Sequence, residues 1–238
     1  MICFLSLLLS GCVSAWRAPS DFIYVPIVSG NYTIASYQHL SDTTSPIHIY
    51  IEGDGSSFDA YGMPTSNPTP NGTLVREMVA RDTSPNIVYL ARPCQYIMSD
   101  ACSKTDWTDG RFSPNIINSM AYAIKSVADR RPIILIGYSG GAMVSGIVIN
   151  QNPDMDIKRW ITIAGVLNHA DWTSYFGDAP LSKSLDMITL PRVPQSHYIV
   201  QNDDVVPNIL SYKWVDGHDL TIIPNARHGK IPDINLDF

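Results

Sequence analysis

Three side chains of this sequence have the types and the order for nucleophilic catalysis: Ser139, Asp203 and His228. A serine hydroxyl is a poor nucleophile at neutral pH. It needs a base within hydrogen-bond reach, and the base needs a carboxylate to fix its tautomer and stabilise its cation. Ser139 stands in I-I-L-I-G-Y-S-G-G-A-M-V-S-G, Ile133 to Gly146. A β-branched-rich run there meets a serine fenced by Gly137, Gly140 and Gly141, where the backbone is too tight or too crowded for side chains. Ala142, Met143, Ile147 and Val148 then recur at helical spacing. A serine on so sharp a strand-to-helix corner is lifted above the sheet, at a helix N-terminus whose N–H groups favour developing negative charge. An ordinary serine in a glycine-rich turn is the bland alternative, and only its partners decide between the two.

The elements that must position these residues follow from apolar patterning. Phe22 to Val28 and Tyr32 to Tyr37 read as an antiparallel opening pair, and Ile47 to Ile51 as the next strand. Thr73 to Ala80 reads as a helix, Ile87 to Leu90 as a strand, and Asn115 to Ala128 as a helix. Strand Ile133 to Ile136 then leads into the serine, and the helix after it runs to about Ile149. Strands Trp160 to Ala164, His197 to Val200 and Leu220 to Ile223 complete the set, with a surface loop over Pro64 to Gly72. Strands alternating with helices predict an α/β fold, a mostly parallel sheet covered by helices on both faces. Functional loops of such a sheet gather at the strands' carboxyl ends. Ser139, the Asp203–Asp204 pair and His228 each follow a different strand there.

The motifs are more specific than the pattern. G-Y-S-G-G, N-D-D-V-V-P and R-H-G, with Y-I-E-G-D-G, Y-L-A-R-P-C-Q-Y and A-G-V-L-N-H-A-D-W, resemble the α/β-hydrolase superfamily over about Ile47 to His228. Within it the chain resembles a group of exported bacterial members with an A-R-P-C-Q loop. The resemblance implies Ser139 as nucleophile, His228 as general base and Asp203 as the acid, since Asp203 begins a D-x-V-V-P pattern. Asp204 and Asp171 are the competing acids. It further implies an oxyanion hole from the backbone N–H groups of Gly140 and Asp54. Many relatives have histidine where Glu52 stands. The Asp54 carboxylate must turn away from the oxyanion into a loop hydrogen-bond network.

Tyr138, His169 and Trp172 are the candidate substrate-contacting residues. Trp107, Phe112, Trp172, Tyr175 and Phe176 form either a binding wall or core. His39, His48, His197 and His218 lack partners at motif spacing and read as solvated or core residues. The segment from Gly165 to Ser196 has room for a small flap only.

Composition bounds the rest. The chain has 238 residues, 45% hydrophobic and 16% charged, which suits one globular domain. Its net charge is −6 with Lys and Arg scattered, so nucleic acid is not an expected partner. No metal or cofactor is implied, and the oligomeric state is unspecified. The opening M-I-C-F-L-S-L-L-L-S-G-C is too short to span a bilayer, and it resembles a secretion signal ending in a lipobox at Cys12. It lacks the basic lead usual in such signals. The organisation expected is a signal segment over 1–12, a tether over 13–20 and a single domain over 21–238, anchored by lipid on Cys12 to a membrane, the outer one being favoured. Cys94 and Cys102 then remain as an even pair, which in an exported chain reads as a disulfide, with two free thiols as the alternative. The expected activity is hydrolysis of a small-molecule or lipid ester, or a thioester, through an acyl-enzyme. A peptidase, an acyltransferase and a non-catalytic lipoprotein on the same fold are the rivals.

Overall fold

A computed structural model describes residues 18–215 and 219–238. The signal-like segment with Cys12 and most of the expected tether lie outside these residues, as does His218. Ten strands and five helices alternate in the described chain: β1 (Ile23–Tyr24), β2 (Ile27–Ser29), β3 (Tyr32–Ile34), β4 (Ser36–Leu40), β5 (Ile47–Ile51), α1 (Leu74–Arg81), β6 (Asn86–Leu90), α2 (Pro114–Ala128), β7 (Ile133–Tyr138), α3 (Gly140–Gln151), β8 (Ile157–Ile163), α4 (His169–Phe176), β9 (Gln195–Val200), α5 (Asn208–Tyr212) and β10 (Leu220–Ile223). Eight strands form one sheet in the order β1-β4-β6-β5-β7-β8-β9-β10. It is parallel from β6 to β10, with β4 antiparallel to β6 and β1 antiparallel to β4.

The central strands are apolar on both faces, as strands buried between helix layers must be. Ile47, Ile49 and Ile51 of β5, with Ile133 and Leu135 of β7, point to the layer of α2 and α3. Tyr50, Ile134 and Ile136 point to the other layer, where Val75, Met78 and Val79 of α1 and the C-terminal Ile231 and Leu236 cover them. Helix α2 starts where Ser113 Oγ accepts the Ile116 N–H at 3.4 Å and Pro114 takes the first turn, a position that needs no N–H. Helix α3 is buried over almost its whole circumference, from Gly140 to Ile149.

Two expectations need correction. The opening pair is not two long strands: β1 joins β4 in the large sheet, while β2 and β3 form a separate antiparallel ribbon. Pro26 stands at the break and has no N–H to continue a ladder. The stretch after β8, for which the apolar pattern predicts no element before the strand at His197, carries α4. Asn168 caps it by accepting the Asp171 N–H at 2.8 Å, and Gly177 closes it at φ 71°. No helix among the described residues is long and apolar enough to cross a membrane.

His197 of β9 shows what the tight middle of the sheet does to a titratable group. Its ring is 1% exposed, lies edge-on to Trp160, and its two nitrogens are 2.7 Å from Thr162 Oγ1 and 2.9 Å from Gln195 Oε1. Burial lowers its pKa from 6.5 to about 4. The unfolded chain therefore takes up a proton below pH 6.5 while the folded one does not. The stability from keeping this ring neutral is complete above pH 6.5 and is lost as pH falls towards 4. Urea titrations should show His197→Gln costing most at pH 7, with its gap from wild type narrowing by about 3 kcal/mol on going to pH 4. Parallel pH profiles would contradict the assignment.

Candidate active site

The geometry begins with the approach of α3 to β7. A Cβ on Gly137 would lie 2.5 Å from the Gly141 carbonyl oxygen and 2.6 Å from the Ala142 nitrogen; one on Gly141 would lie 2.5 Å from the Ile51 carbonyl oxygen. Gly137 thus belongs to the strand and is required by packing. The turn itself falls on Ser139, at φ 51° and ψ −122°, a backbone state that costs a non-glycine residue about 1–3 kcal/mol. The surroundings impose it: the Ser139 N–H donates to the Ile163 carbonyl at 3.0 Å, and its own carbonyl accepts from Ala142 and Val166, both at 3.1 Å.

Ser139 Oγ is 2.9 Å from His228 Nε2, and His228 Nδ1 is 2.8 Å from Asp203 Oδ2. The other Asp203 oxygen, Oδ1, accepts the N–H groups of Val205 and Val206, both at 2.9 Å. Those two bonds leave Oδ2 as the oxygen for the imidazole. With Nδ1–H donating to Asp203, Nε2 is the acceptor for the serine proton. Asp204 is exposed, and the Asp171 carboxylate is bound by Lys213 Nζ and by Trp214 Nε1 at 2.8 Å. Of the three carboxylates weighed from sequence, only Asp203 meets His228.

The loop after β5 lies against the serine. A Cβ on Gly53 would be 3.1 Å from both Ser139 Cβ and Tyr138 Cδ1, and the Asp54 carboxylate rests against Gly140. Among the described residues neither the Gly140 nor the Asp54 N–H is taken by a protein acceptor. The Asp54 side chain enters a loop hydrogen-bond network: Arg92 Nη1 donates to Oδ1 and Arg111 Nη1 to Oδ2, the latter at 2.7 Å. Burial opposes its ionisation, but Arg111 and Arg92 outweigh that and hold its carboxyl below the usual range. Glu52 is the reverse case. Burial raises its pKa, against the Tyr89 hydroxyl at 2.8 Å, the Gly53 N–H at 3.0 Å and the charges of Arg76 and Arg92.

The A-R-P-C-Q-Y segment is the clamp on this loop. Besides Arg92, Gln95 Nε2 donates to the Gly53 carbonyl at 2.9 Å while Gln95 Oε1 accepts the Arg92 N–H at 3.0 Å. Cys94 and Tyr96 flank Gln95 at φ 71° and 63°, and a disulfide joins Cys94 to Cys102 across a Cα separation of 5.7 Å. Arg92, Gln95 and Arg111 were not identified as site residues from sequence, because Asp54 and Arg111 are 57 positions apart.

A cleft of about 460 Å³ opens over Ser139 and His228. Trp172, Val166 and Val206 line one part of it, Phe58, Pro70 and Leu74 another. Trp172 is thus in the cleft, its indole N–H donating to the Val205 carbonyl at 2.7 Å. Tyr138 lines it too, but its hydroxyl donates to the His228 carbonyl at 2.8 Å and its ring lies 5.2 Å from the imidazole, so it braces the histidine. His169 is corrected: it is not in the cleft. As the first residue of α4 it points inward and stacks on Phe112 at 5.9 Å. Trp107 and Phe112 are core, whereas Tyr175 and Phe176 are exposed. A larger cavity, about 620 Å³, lies at the opposite end of the strands beside His48, Asp82 and the C-terminal segment.

The architecture is that of the α/β-hydrolases. The chain is similar to a putative hydrolase from Agrobacterium vitis (TM-score 0.58, 12% identity, 88% of this chain and 92% of that one). It is similar also to an α/β serine hydrolase without a lid from Xanthomonas campestris (0.56, 13%, 89% and 88%) and to Est1E from Butyrivibrio proteoclasticus (0.56, 13%, 89% and 91%). At such identities the likeness defines the fold. A stretch of 121 residues is 27% identical to dipeptidyl peptidase family member 1 of Caenorhabditis elegans, covering 44% of this chain but only 15% of that much longer protein. No known protein-family profile matches the chain.

The disulfide closes a short loop, with a sequence separation of 8, worth about 2.5 kcal/mol on chain-entropy grounds. Oxidised protein should show a linked Cys94–Cys102 peptide in non-reducing mass spectrometry. Cys94→Ser/Cys102→Ser should unfold at lower urea, since the closed loop no longer restrains the unfolded chain. Two alkylatable thiols, or a variant with an unchanged urea midpoint, would contradict this.

Proposed function

We propose that the chain is a serine hydrolase that cleaves an ester or thioester through an acyl-enzyme. The observation that carries this reading is the imidazole of His228, bridging Ser139 Oγ and Asp203 Oδ2 at 2.9 and 2.8 Å. In the first half-reaction Ser139 Oγ attacks the substrate carbonyl and its proton passes to His228 Nε2, while Asp203 stabilises the imidazolium. The oxygen that becomes negative is met by the N–H groups of Gly140 and Asp54. Collapse expels the alcohol or thiol, which takes the proton from His228. Water then attacks the acyl-serine by the same route, releasing the acid and restoring Ser139.

An ester comes first because the cleft is open and the segment over 165–196 builds only the short α4 beside it. The similarity to a dipeptidyl peptidase favours one second reading, peptide-bond cleavage with the same residues. An acyltransferase would need an acceptor other than water, and nothing in the cleft selects one. A non-catalytic role for the fold is the poorest fit, because drift breaks a hydrogen-bonded triad without disturbing the core.

Ser139→Ala and His228→Ala should each reduce kcat for a short-chain 4-nitrophenyl ester by about 10⁴-fold or more, with the double variant little worse than either, since the residues act as a unit. Asp203→Asn should cost far more than Asp204→Asn. Equal losses at the two aspartates, or a surviving rate in Ser139→Ala, would contradict the assignment. Faster turnover of a dipeptidyl anilide than of the ester would favour the peptidase reading.

A further inference from the structure

Arg111 is buried beside the candidate nucleophile, and its hydrogen bonds account for only part of its capacity. Its side chain is 5% exposed. Nε donates to the Thr108 carbonyl at 2.7 Å and Nη1 to Asp54 Oδ2 at 2.7 Å. Nη2 has no protein acceptor among the described residues, and it is not among the buried polar atoms sealed away without a partner. The guanidinium lies 5.4 Å from the centroid of Phe58 and 5.8 Å from that of Trp172, and Phe58, Trp172 and Arg111 all line the cleft that holds Ser139.

The nearby carboxyls leave this charge incompletely answered. Asp54 is shared between Arg92 and Arg111, one oxygen to each; Glu52 acts on Arg92, while among the described residues the ion pair of Arg111 is with its half of Asp54. Glu52 has both oxygens occupied from within the protein, by Tyr89 and by Gly53. The unengaged N–H groups of Nη2, on a guanidinium close to two aromatic rings and open to the cleft, suit an anionic acceptor. A carboxylate is the simplest such group.

Its place in the substrate follows from the chemistry at Ser139. The leaving oxygen must face His228, which protonates it. Arg111 is tied through Asp54 to the loop resting on Gly140, not to the histidine loop, so it addresses the acyl portion. We propose that the site prefers acyl groups ending in a carboxylate, the half-esters of dicarboxylic acids, with Arg111 as the specificity-determining residue. This rests on the serine-hydrolase reading above. Long-range attraction does not supply the preference, because the chain's net charge is −6 and repels anions at a distance.

The test compares 4-nitrophenyl hydrogen adipate with 4-nitrophenyl hexanoate, which share leaving group and chain length and differ in the terminal carboxylate. Wild-type kcat/KM should favour the adipate by about tenfold or more. Arg111→Met should bring that ratio to about one, whatever it does to either rate, and Arg111→Lys should keep part of it because the charge remains without the fork. Should Arg111→Met fail to fold, the wild type decides: free adipate should inhibit hexanoate turnover competitively and more strongly than free hexanoate does. A wild-type ratio of one or below, or an unchanged ratio in Arg111→Met, overturns the proposal while hexanoate turnover leaves the hydrolase reading standing. No turnover of either ester, nor of a dipeptidyl anilide, overturns both.

Discussion

The close packing of α3 on β7 forces the chain to reverse between Tyr138 and Gly140, and the site is arranged around that reversal. Backbone atoms stand within 2.5–2.6 Å of where a Cβ on Gly137 or Gly141 would lie, so the helix can sit this low only over glycine. The turn is then left to Ser139, at φ 51°. Strain of about 1–3 kcal/mol at one residue is held by β8 and the loop that follows it, through the Ile163 carbonyl and the Val166 N–H. The same low seat buries α3 and aims its N-terminal N–H groups at the space above the serine.

What surrounds the serine is a set of loops that hold one another by buried polar bonds. Asp203 spends one oxygen on its own turn and the other on His228. Asp54 spends one on each of two arginines. In both cases each carboxylate oxygen is bonded, and in both the bonds fix a loop that cannot hold its shape by apolar packing alone. The clamp through Arg92 and Gln95 accounts for the polar residues of A-R-P-C-Q-Y: they bind the loop that supplies Asp54. Of the two arginines on Asp54, Arg111 lines the cleft.

Much of this was legible in the sequence because it depends on short-range pattern. The parallel strands were visible as apolar runs, and the elbow as a serine among glycines between a strand and a helix. Asp203 was distinguished from its neighbour Asp204 by its distance from Pro207, and it is Asp203 that meets His228. The opening strands were misread since apolar residues continue through Pro26, and only the missing N–H marks the break. Helix α4 was missed although Asn168 and Gly177 are its caps, because it buries His169 and Thr173 rather than an apolar stripe, whereas α1, of the same length, buries Val75, Met78 and Val79. That helix is also why His169 looked like a cleft residue: its side chain direction is set by a cap, not by its nearness to a motif. The arginine pair on Asp54 was beyond pattern altogether, since it joins positions 38 and 57 apart.

The account as a whole depends on Ser139 being a nucleophile and not merely a strained serine. Peptide mapping by mass spectrometry after treatment with a fluorophosphonate addresses this directly. One phosphonyl group per chain, carried on Ser139 and absent when the protein is unfolded in urea before treatment, is the predicted result. An unmodified Ser139 in folded protein, or a label spread over other serines and tyrosines, would contradict it.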